Sequence, residues 1–237
     1  MSIFEYDPGL LVRFPRTVGG VLLGHGLHNG PTPPALLERY LAEQRSVAGR
    51  LGETPLSQLP SISAWRGVFS GFGVEPTKYR SAPESLLRRL TKKGDIPSIN
   101  LLVDLGNLVS IRYALPVAVF DTRQITGSLK VKSAAGTERF TVLKETGDAV
   151  ENPEPGEVIF VDDTDLVFAR RWCWRQSENS AAQPDTTDVI ITTEAQHAGG
   201  RGDIEAALAD LLALLKEYAG GSYTTGILDA DTPRLSD

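Results

Sequence analysis

Ser98-Ile-Asn-Leu-Leu-Val-Asp-Leu-Gly-Asn-Leu-Val-Ser-Ile-Arg112 is the stretch on which the fold turns. Pro97-Ser98 opens it as a helix, and the pattern carries that helix to about Arg112. Asn100, Asp104 and Asn107 fall within about 60° of one another on its wheel, because spacings of four and three residues stack on one face. The other faces carry Ile99, Leu101, Leu102, Val103, Leu105, Leu108, Val109 and Ile111. A helix apolar on most sides is buried. A polar stripe inside it needs partners, since each unpaired buried group costs about 1–3 kcal/mol. The stripe therefore either caps neighbouring loops and strand ends or lines a polar cleft. Gly106, at a cost of about 1 kcal/mol relative to Ala inside a helix, marks the close approach of a strand or a ligand.

Upstream of this helix the chain reads mostly as further helices. Residues 18–27, rich in Val, Leu and Gly, are expected as a buried strand with turns. Thr32 is placed to cap a helix carrying Leu36, Leu37, Tyr40 and Leu41. A Gly- and Pro-bearing connector at 49–60 leads to a short helix with Ile62, Trp65, Val68 and Phe69 on one face. Ser81-Ala-Pro-Glu84 matches a capping box and opens a helix through Leu86, Leu87 and Leu90. Downstream, from Pro116, short β-branched runs alternate with turn residues at 117–120, 129–131, 140–143, 157–161, 166–174 and 189–193. Asp203 is expected to cap a last helix, 204–218, closed by Gly220-Gly221.

Helices, then strands, then a helix make an α+β fold, with helices packed on a mainly antiparallel sheet. The helix–strand alternation of a Rossmann fold is missing, as are its glycine fingerprint and the phosphate-loop motif. The chain is expected to form a single domain over 1–237. Residues 1–60 read as an N-terminal strand–helix appendage, and 229–237 as a frayed acidic tail.

Composition narrows the function. The 237 residues carry 24 Lys and Arg against 30 Asp and Glu, a net charge of −6. That excludes broad coating of nucleic acid, and DNA is not an expected partner. A single cysteine, Cys173, excludes an internal disulfide and a zinc site built on several thiolates. His25-Gly-Leu-His28 offers two imidazoles, but a metal needs a third ligand and His197 is the only other histidine. Neither metal nor cofactor is expected. No apolar run reaches the roughly 18–20 residues of a membrane span. The start carries no basic stretch followed by an apolar core, so a cytoplasmic location with no membrane contact is expected.

Charge is uneven along the chain. Lys78, Arg80, Arg88, Arg89, Lys92 and Lys93 stand against Glu84 alone within 78–93. Residues 145–165 hold eight Asp or Glu and no Lys or Arg. Such a local basic patch is either a solvated helix face or one directed contact with RNA phosphates. Arg170-Arg-Trp-Cys-Trp-Arg175 is the second unusual run. On a strand it would put Arg171, Cys173 and Arg175 on one face and Arg170, Trp172 and Trp174 on the other. It reads as a surface that stacks rings and binds anions, or as an aromatic core face with an arginine rim. Cys173 has no histidine near it in sequence and is read as a packing residue.

Pro97-Ser-Ile-Asn100, Leu102-Val-Asp104-Leu-Gly-Asn107 and Pro116-Val-Ala-Val-Phe-Asp121 together resemble a motif of bacterial phenylalanyl-tRNA synthetase beta subunits. There the pattern reads P-I-N-x-x-V-D-x-T-N followed by P-M-H-A-F-D. It belongs to the B3/B4 domain, which hydrolyses tyrosine wrongly attached to the phenylalanine tRNA. Arg80-Ser-Ala-Pro-Glu84 sits where the family has its first helix, and 127–140 looks like its strand and turn. The similarity covers roughly 65–215. Ala169 to Ser177 looks like a feature of free-standing relatives encoded without the synthetase.

The resemblance implies a substrate pocket formed by Asn100, Asp104, Gly106, Asn107 and Ala118, with Arg171 and Trp172 facing it. Asn107 and Asp104 match the family. Gly106 replaces a threonine, Ala118 replaces the pocket histidine, and the family's downstream pocket glutamate has no assigned counterpart. Loss of those two side chains need not abolish hydrolysis, but it should change which side chain the pocket accepts. The implied function is binding of tRNA or the aminoacyl-tRNA 3′ end, with trans hydrolysis of mischarged aminoacyl-tRNA as its catalytic form. The alternative is a non-catalytic module for an amino-acid-like small molecule that kept the fold and lost RNA binding.

Overall fold

The run Val189-Ile-Ile-Thr-Thr-Glu-Ala195 is buried at every position, and the rest of the molecule is arranged about it. A computed structural model describes residues 3–144 and 147–237; Glu145 of the acidic run lies outside them. The elements in chain order are β1 (Ile3–Tyr6), α1 (Pro8–Arg13), β2 (Val18–His25), α2 (Pro34–Leu51), α3 (Pro60–Gly71), α4 (Ala82–Lys93) and α5 (Leu101–Tyr113). They continue with β3 (Val117–Asp121), β4 (Ser128–Ser133), β5 (Phe140–Lys144), β6 (Gly147–Glu151), β7 (Val158–Val161), β8 (Val167–Arg170) and β9 (Arg175–Gln176). The chain ends in β10 (Val189–Ala195), α6 (Gly200–Tyr218), β11 (Ser222–Leu228) and β12 (Arg234–Ser236).

Three layers follow from the period-two alternation of the strands. The central sheet runs β11-β2-β10-β3 and is antiparallel throughout. One of its faces, with Leu22, Val119, Val189 and Ile191, packs against the apolar sides of α2, α4, α5 and α6. The opposite face, with Val21, Leu23, Phe120 and Ile190, packs against a second sheet. That sheet runs β12-β1-β4-β7-β8-β9 and contributes Phe4, Leu129, Val131, Phe160 and Phe168. Its β1–β4 pair is parallel, and the other pairs of both sheets are antiparallel. The α+β architecture with mainly antiparallel sheets is therefore as expected, with two large sheets where one was read.

Several local expectations are corrected. The tail at 229–237 is not frayed: Arg234–Ser236 pairs with β1, and Leu235 packs into the layer between the sheets. Residues 1–60 do not stand apart, because β2 is paired on both sides within the central sheet. The strand at 166–174 is broken after Arg170, where Arg171 and Trp172 take left-handed φ values of 47° and 59°. Asp203 is not the cap of the last helix. Gly199, at φ 82°, occupies that position, and Asp203 instead accepts from His197 Nε2 at 2.8 Å. Ser81 stands at the N-cap of α4 but makes no capping bond, and Glu84 turns away to the Arg66 guanidinium, so the capping box does not form. Thr32 leaves the cap of α2 to Pro33 and donates to Asp104 Oδ2.

Candidate functional site

Strand alternation also decides how the candidate residues are distributed. On β3, Val117 and Val119 face the helices, while Ala118 and Phe120 face the layer between the sheets. Helix α5 lies close on the first side. A Cβ on Gly106 would stand 3.3 Å from Cγ1 of Val117 and 3.3 Å from Cγ2 of Val119. The glycine thus answers to the approach of a strand, and it also borders a cavity beside it.

The three polar residues of α5 meet different surroundings. Asn100 caps the helix: its Oδ1 accepts from Val103 N at 3.1 Å, and its Nδ2 donates to Ala182 O at 2.9 Å. Asp104 is wholly buried. Its Oδ2 accepts from Thr32 Oγ1 at 2.6 Å and Ser98 Oγ at 2.5 Å, and its Oδ1 accepts from Ile99 N at 2.9 Å. The carboxylate is spent on tying three loop positions to the first turn of α5 and does not line a cleft, contrary to expectation. Asn107 is half-buried. With Asn100, Gly106, Val117 and Gln176 it lines an open cavity of about 460 Å³ on the helix side of β3.

A second, much smaller cavity of about 70 Å³ lies on the other side of β3, lined among others by Ala118, Ala169, Trp172, Cys173, Gln176 and Glu194. Val117 and Gln176 border both cavities. Because β3 is the edge strand of its sheet, the two spaces lie on either side of one strand edge. Gln176 Nε2 spans the gap by donating to Val119 O at 2.8 Å and Ser180 O at 2.9 Å. The expected single pocket is therefore two: Asn100, Gly106 and Asn107 in one, Ala118 and Trp172 in the other.

Arg171 lines neither. Its guanidinium carbon sits 3.9 Å from the ring centroid of Tyr79 and 4.5 Å from that of Trp174, over both rings, which meet each other edge-on at 5.0 Å. Two successive non-glycine residues at positive φ cost about 1–3 kcal/mol each and need over-determined surroundings. Buried Glu157 supplies part of these: its Oε1 accepts from Arg171 N at 3.0 Å and Arg170 Nε at 2.9 Å, and its Oε2 accepts from Arg170 Nη2 at 2.9 Å. The turn swings Trp172 inward until it is fully buried against Phe14 and Trp65.

The residue that sequence reasoning missed is Glu194. It lies on β10 in the same parity as Ile190 and Thr192, so it points between the sheets. Tyr6 Oη and Trp172 Nε1 each donate to its Oε1 at 2.8 Å. Its Oε2 has no partner among the described residues. Burial raises the carboxyl to about 7, with the bonds from Trp172 and Tyr6 opposing. A carboxyl so placed can hold or accept a proton at neutral pH. The signal available in sequence was a lone acid after five β-branched residues of a buried run. Cys173 lines the same cavity, and burial together with Glu194 pushes its thiol well up.

The basic residues of 78–93 do not form one patch. Arg80 and Arg66 both approach buried Glu84, and Arg89 bonds the carbonyl and carboxylate of Asp95. Lys78 stacks on Tyr79. Arg88, Lys92 and Lys93 are exposed, with no acidic partner among the described residues. Arg175, also exposed, stands at the mouth of the small cavity. Among the described residues no group of three or more His, Cys, Asp or Glu is placed to hold a metal ion, and no helix is long and apolar enough to cross a membrane.

Comparison with known proteins places these features in a family. A family model for the B3/4 domain matches residues 64–220. The phenylalanine–tRNA ligase beta subunit of Fusobacterium nucleatum is 23% identical over 184 residues, 68% of this chain and 22% of the relative. That of Bradyrhizobium diazoefficiens is 34% identical over 118 residues, 50% of this chain and 14% of the relative. The chain thus spans less than a quarter of the length of these relatives. An N-terminal fragment of the phenylalanyl-tRNA synthetase beta subunit from Pyrococcus horikoshii aligns over 94% of this chain and 50% of its own, with a TM-score of 0.45 and 13% identity.

Proposed function

The chain belongs to the B3/4 domain family, and we propose that it binds the aminoacyl end of tRNA and hydrolyses mischarged aminoacyl-tRNA in trans. The observation that carries this reading is the pair of cavities on either side of β3, with Glu194 lining the smaller one. In this reading the acyl group enters beside Ala118 and Glu194, and the terminal nucleoside lies over Gly106 and Asn107. Water adds to the ester carbon, the acyl–oxygen bond breaks, and the ribose oxygen leaves with a proton. Glu194 is the buried group able to hold that proton near neutral pH. Arg175 at the mouth, with Arg88, Lys92 and Lys93 further along α4, would meet phosphates.

The second reading, an amino-acid-like small molecule bound without RNA, is favoured by the net charge of −6 and by the engagement of Arg80 and Arg89 in internal ion pairs. Two measurements separate them. Incubation with a panel of aminoacyl-tRNAs should release one or more amino acids above the spontaneous rate. Binding of tRNA should weaken steeply between low and physiological salt, as phosphate contacts require. No release and no salt-sensitive binding would leave the small-molecule reading.

A further inference from the structure

The small cavity has a ceiling fixed by one side chain. Trp172 is fully buried, its indole N–H is bonded to Glu194, and its ring packs edge-on against Phe14 and Trp65 at centroid distances of 5.4 Å and 5.2 Å. Its backbone is committed to the left-handed turn after β8. The ring is held by these contacts, and the indole cannot swing aside without breaking its bond to a buried carboxyl. Phe160, likewise buried, and the strands bearing Ala118 and Ala169 close the other sides. What is left is about 70 Å³, under half of the roughly 150 Å³ that takes up a benzene ring in an apolar protein cavity.

We propose that Trp172 is a size filter, and that the occupant of this cavity is an aminoacyl side chain of alanine or serine size, not an aryl group. The proposal rests on the reading that aminoacyl-tRNA is the ligand, and it names the substrate class of that same site. Ala118 and Ala169 leave the cavity open by their small side chains, and Trp172 limits it. Glu194 also lines the cavity and supplies a polar wall for a small side chain.

Free amino-acid amides test the filter without RNA, and charged tRNAs test it with RNA. Saturation-transfer NMR on the full chain should show contact with alaninamide and serinamide and at least tenfold less with phenylalaninamide and tyrosinamide. Ala118→Leu, which fills the cavity from β3, should abolish the short-chain signals while keeping the wild-type unfolding midpoint. Trp172→Ala should admit the aryl amides; because its loss risks the fold, Ala118→Leu reads the cavity independently. With tRNA esters, alanyl and seryl groups should be released at least tenfold faster than tyrosyl or phenylalanyl groups. Aryl amides binding as well as the short ones would overturn the filter, and so would silence from all four. Short-chain amides that bind while no ester is released and tRNA shows no salt-sensitive binding would support the filter and overturn the tRNA reading alone.

Discussion

Trp172 Nε1 donates to Glu194 Oε1 over 2.8 Å, joining a left-handed turn at the end of one sheet to an inner strand of the other. Tyr6 from β1 reaches the same oxygen, so three separate parts of the chain meet on a single carboxyl. Such a network holds only while each donor has its acceptor, and removing one member leaves the others unpaired in a low-dielectric layer.

The protonation of Glu194 should be visible in stability. Its carboxyl ionises near 7 when folded, against an ordinary value of 4.5. The folded state therefore binds the extra proton, and the stabilisation this brings is complete below about pH 4.5 and lost as pH rises through about 7. Glu194→Gln, which keeps an acceptor for Trp172 and Tyr6, should remove this dependence. Urea unfolding at pH 5 and pH 8 should show the variant gaining on wild type by up to about 3 kcal/mol at the higher pH. Parallel profiles would contradict the assignment.

Asp104 should matter to folding and not to ligand choice. Asp104→Ala leaves two hydroxyls and one backbone N–H without their acceptor, at a cost of about 2–4 kcal/mol. Asn100→Ala, which removes a cap, should cost about 1–2 kcal/mol. Chemical denaturation gives both numbers. The ratio of short to aryl amide binding should stay at the wild-type value in Asp104→Ala, since that carboxylate lines neither cavity.

Gly106 offers a test of two opposed small effects. Alanine gains about 1 kcal/mol of helix propensity, while its methyl meets Val117 and Val119 at 3.3 Å. Gly106→Ala should therefore unfold within about 1 kcal/mol of wild type, whereas Gly106→Leu should lose about 1–3 kcal/mol by overpacking. A strongly destabilised alanine variant would show that β3 cannot yield at all.

The Arg170–Glu157 pair is bidentate and buried at both ends. Arg170→Ala removes the bidentate partner of a buried carboxylate, leaving it the backbone N–H groups of Glu154 and Arg171 and the more distant Arg171 guanidinium, and should cost about 3–5 kcal/mol. Replacing both partners by methionine should recover only part of that loss, because Glu157 also accepts from the backbone of Glu154 and Arg171. A double-mutant cycle measured by denaturation would show it as a coupling energy.

The helices and most strands are legible in the sequence because their apolar spacing is regular: the helix from Pro34, the helix to Tyr113 and the strands at 117–121 and 189–195 follow local pattern. What is not legible comes from long-range pairing. Arg170 to Trp174 alternates as a strand should, yet the chain turns there because Glu157 and Val158, more than ten residues earlier, hold the backbone of Arg171 and Trp172. The site is split for a similar reason. Sequence spacing relates Asn107 to Ala118 along the chain, but only the pairing of β3 with β10 decides that Ala118 faces Glu194 while Val117 and Val119 face Asn107's helix.

The order of synthesis gives the last strands a consequence of their own. β11 completes one edge of the central sheet against β2, and β12 completes one edge of the other sheet against β1, with Ile3 opposite Ser236. Both partners leave the ribosome well before the strands that complete them. Until residues 222–236 emerge, two strands with unpaired backbone lie open on opposite sheets, each a template for pairing with a neighbouring nascent copy. A chain stopped after Tyr218 would keep every residue of the two cavities and still be the form most prone to aggregate.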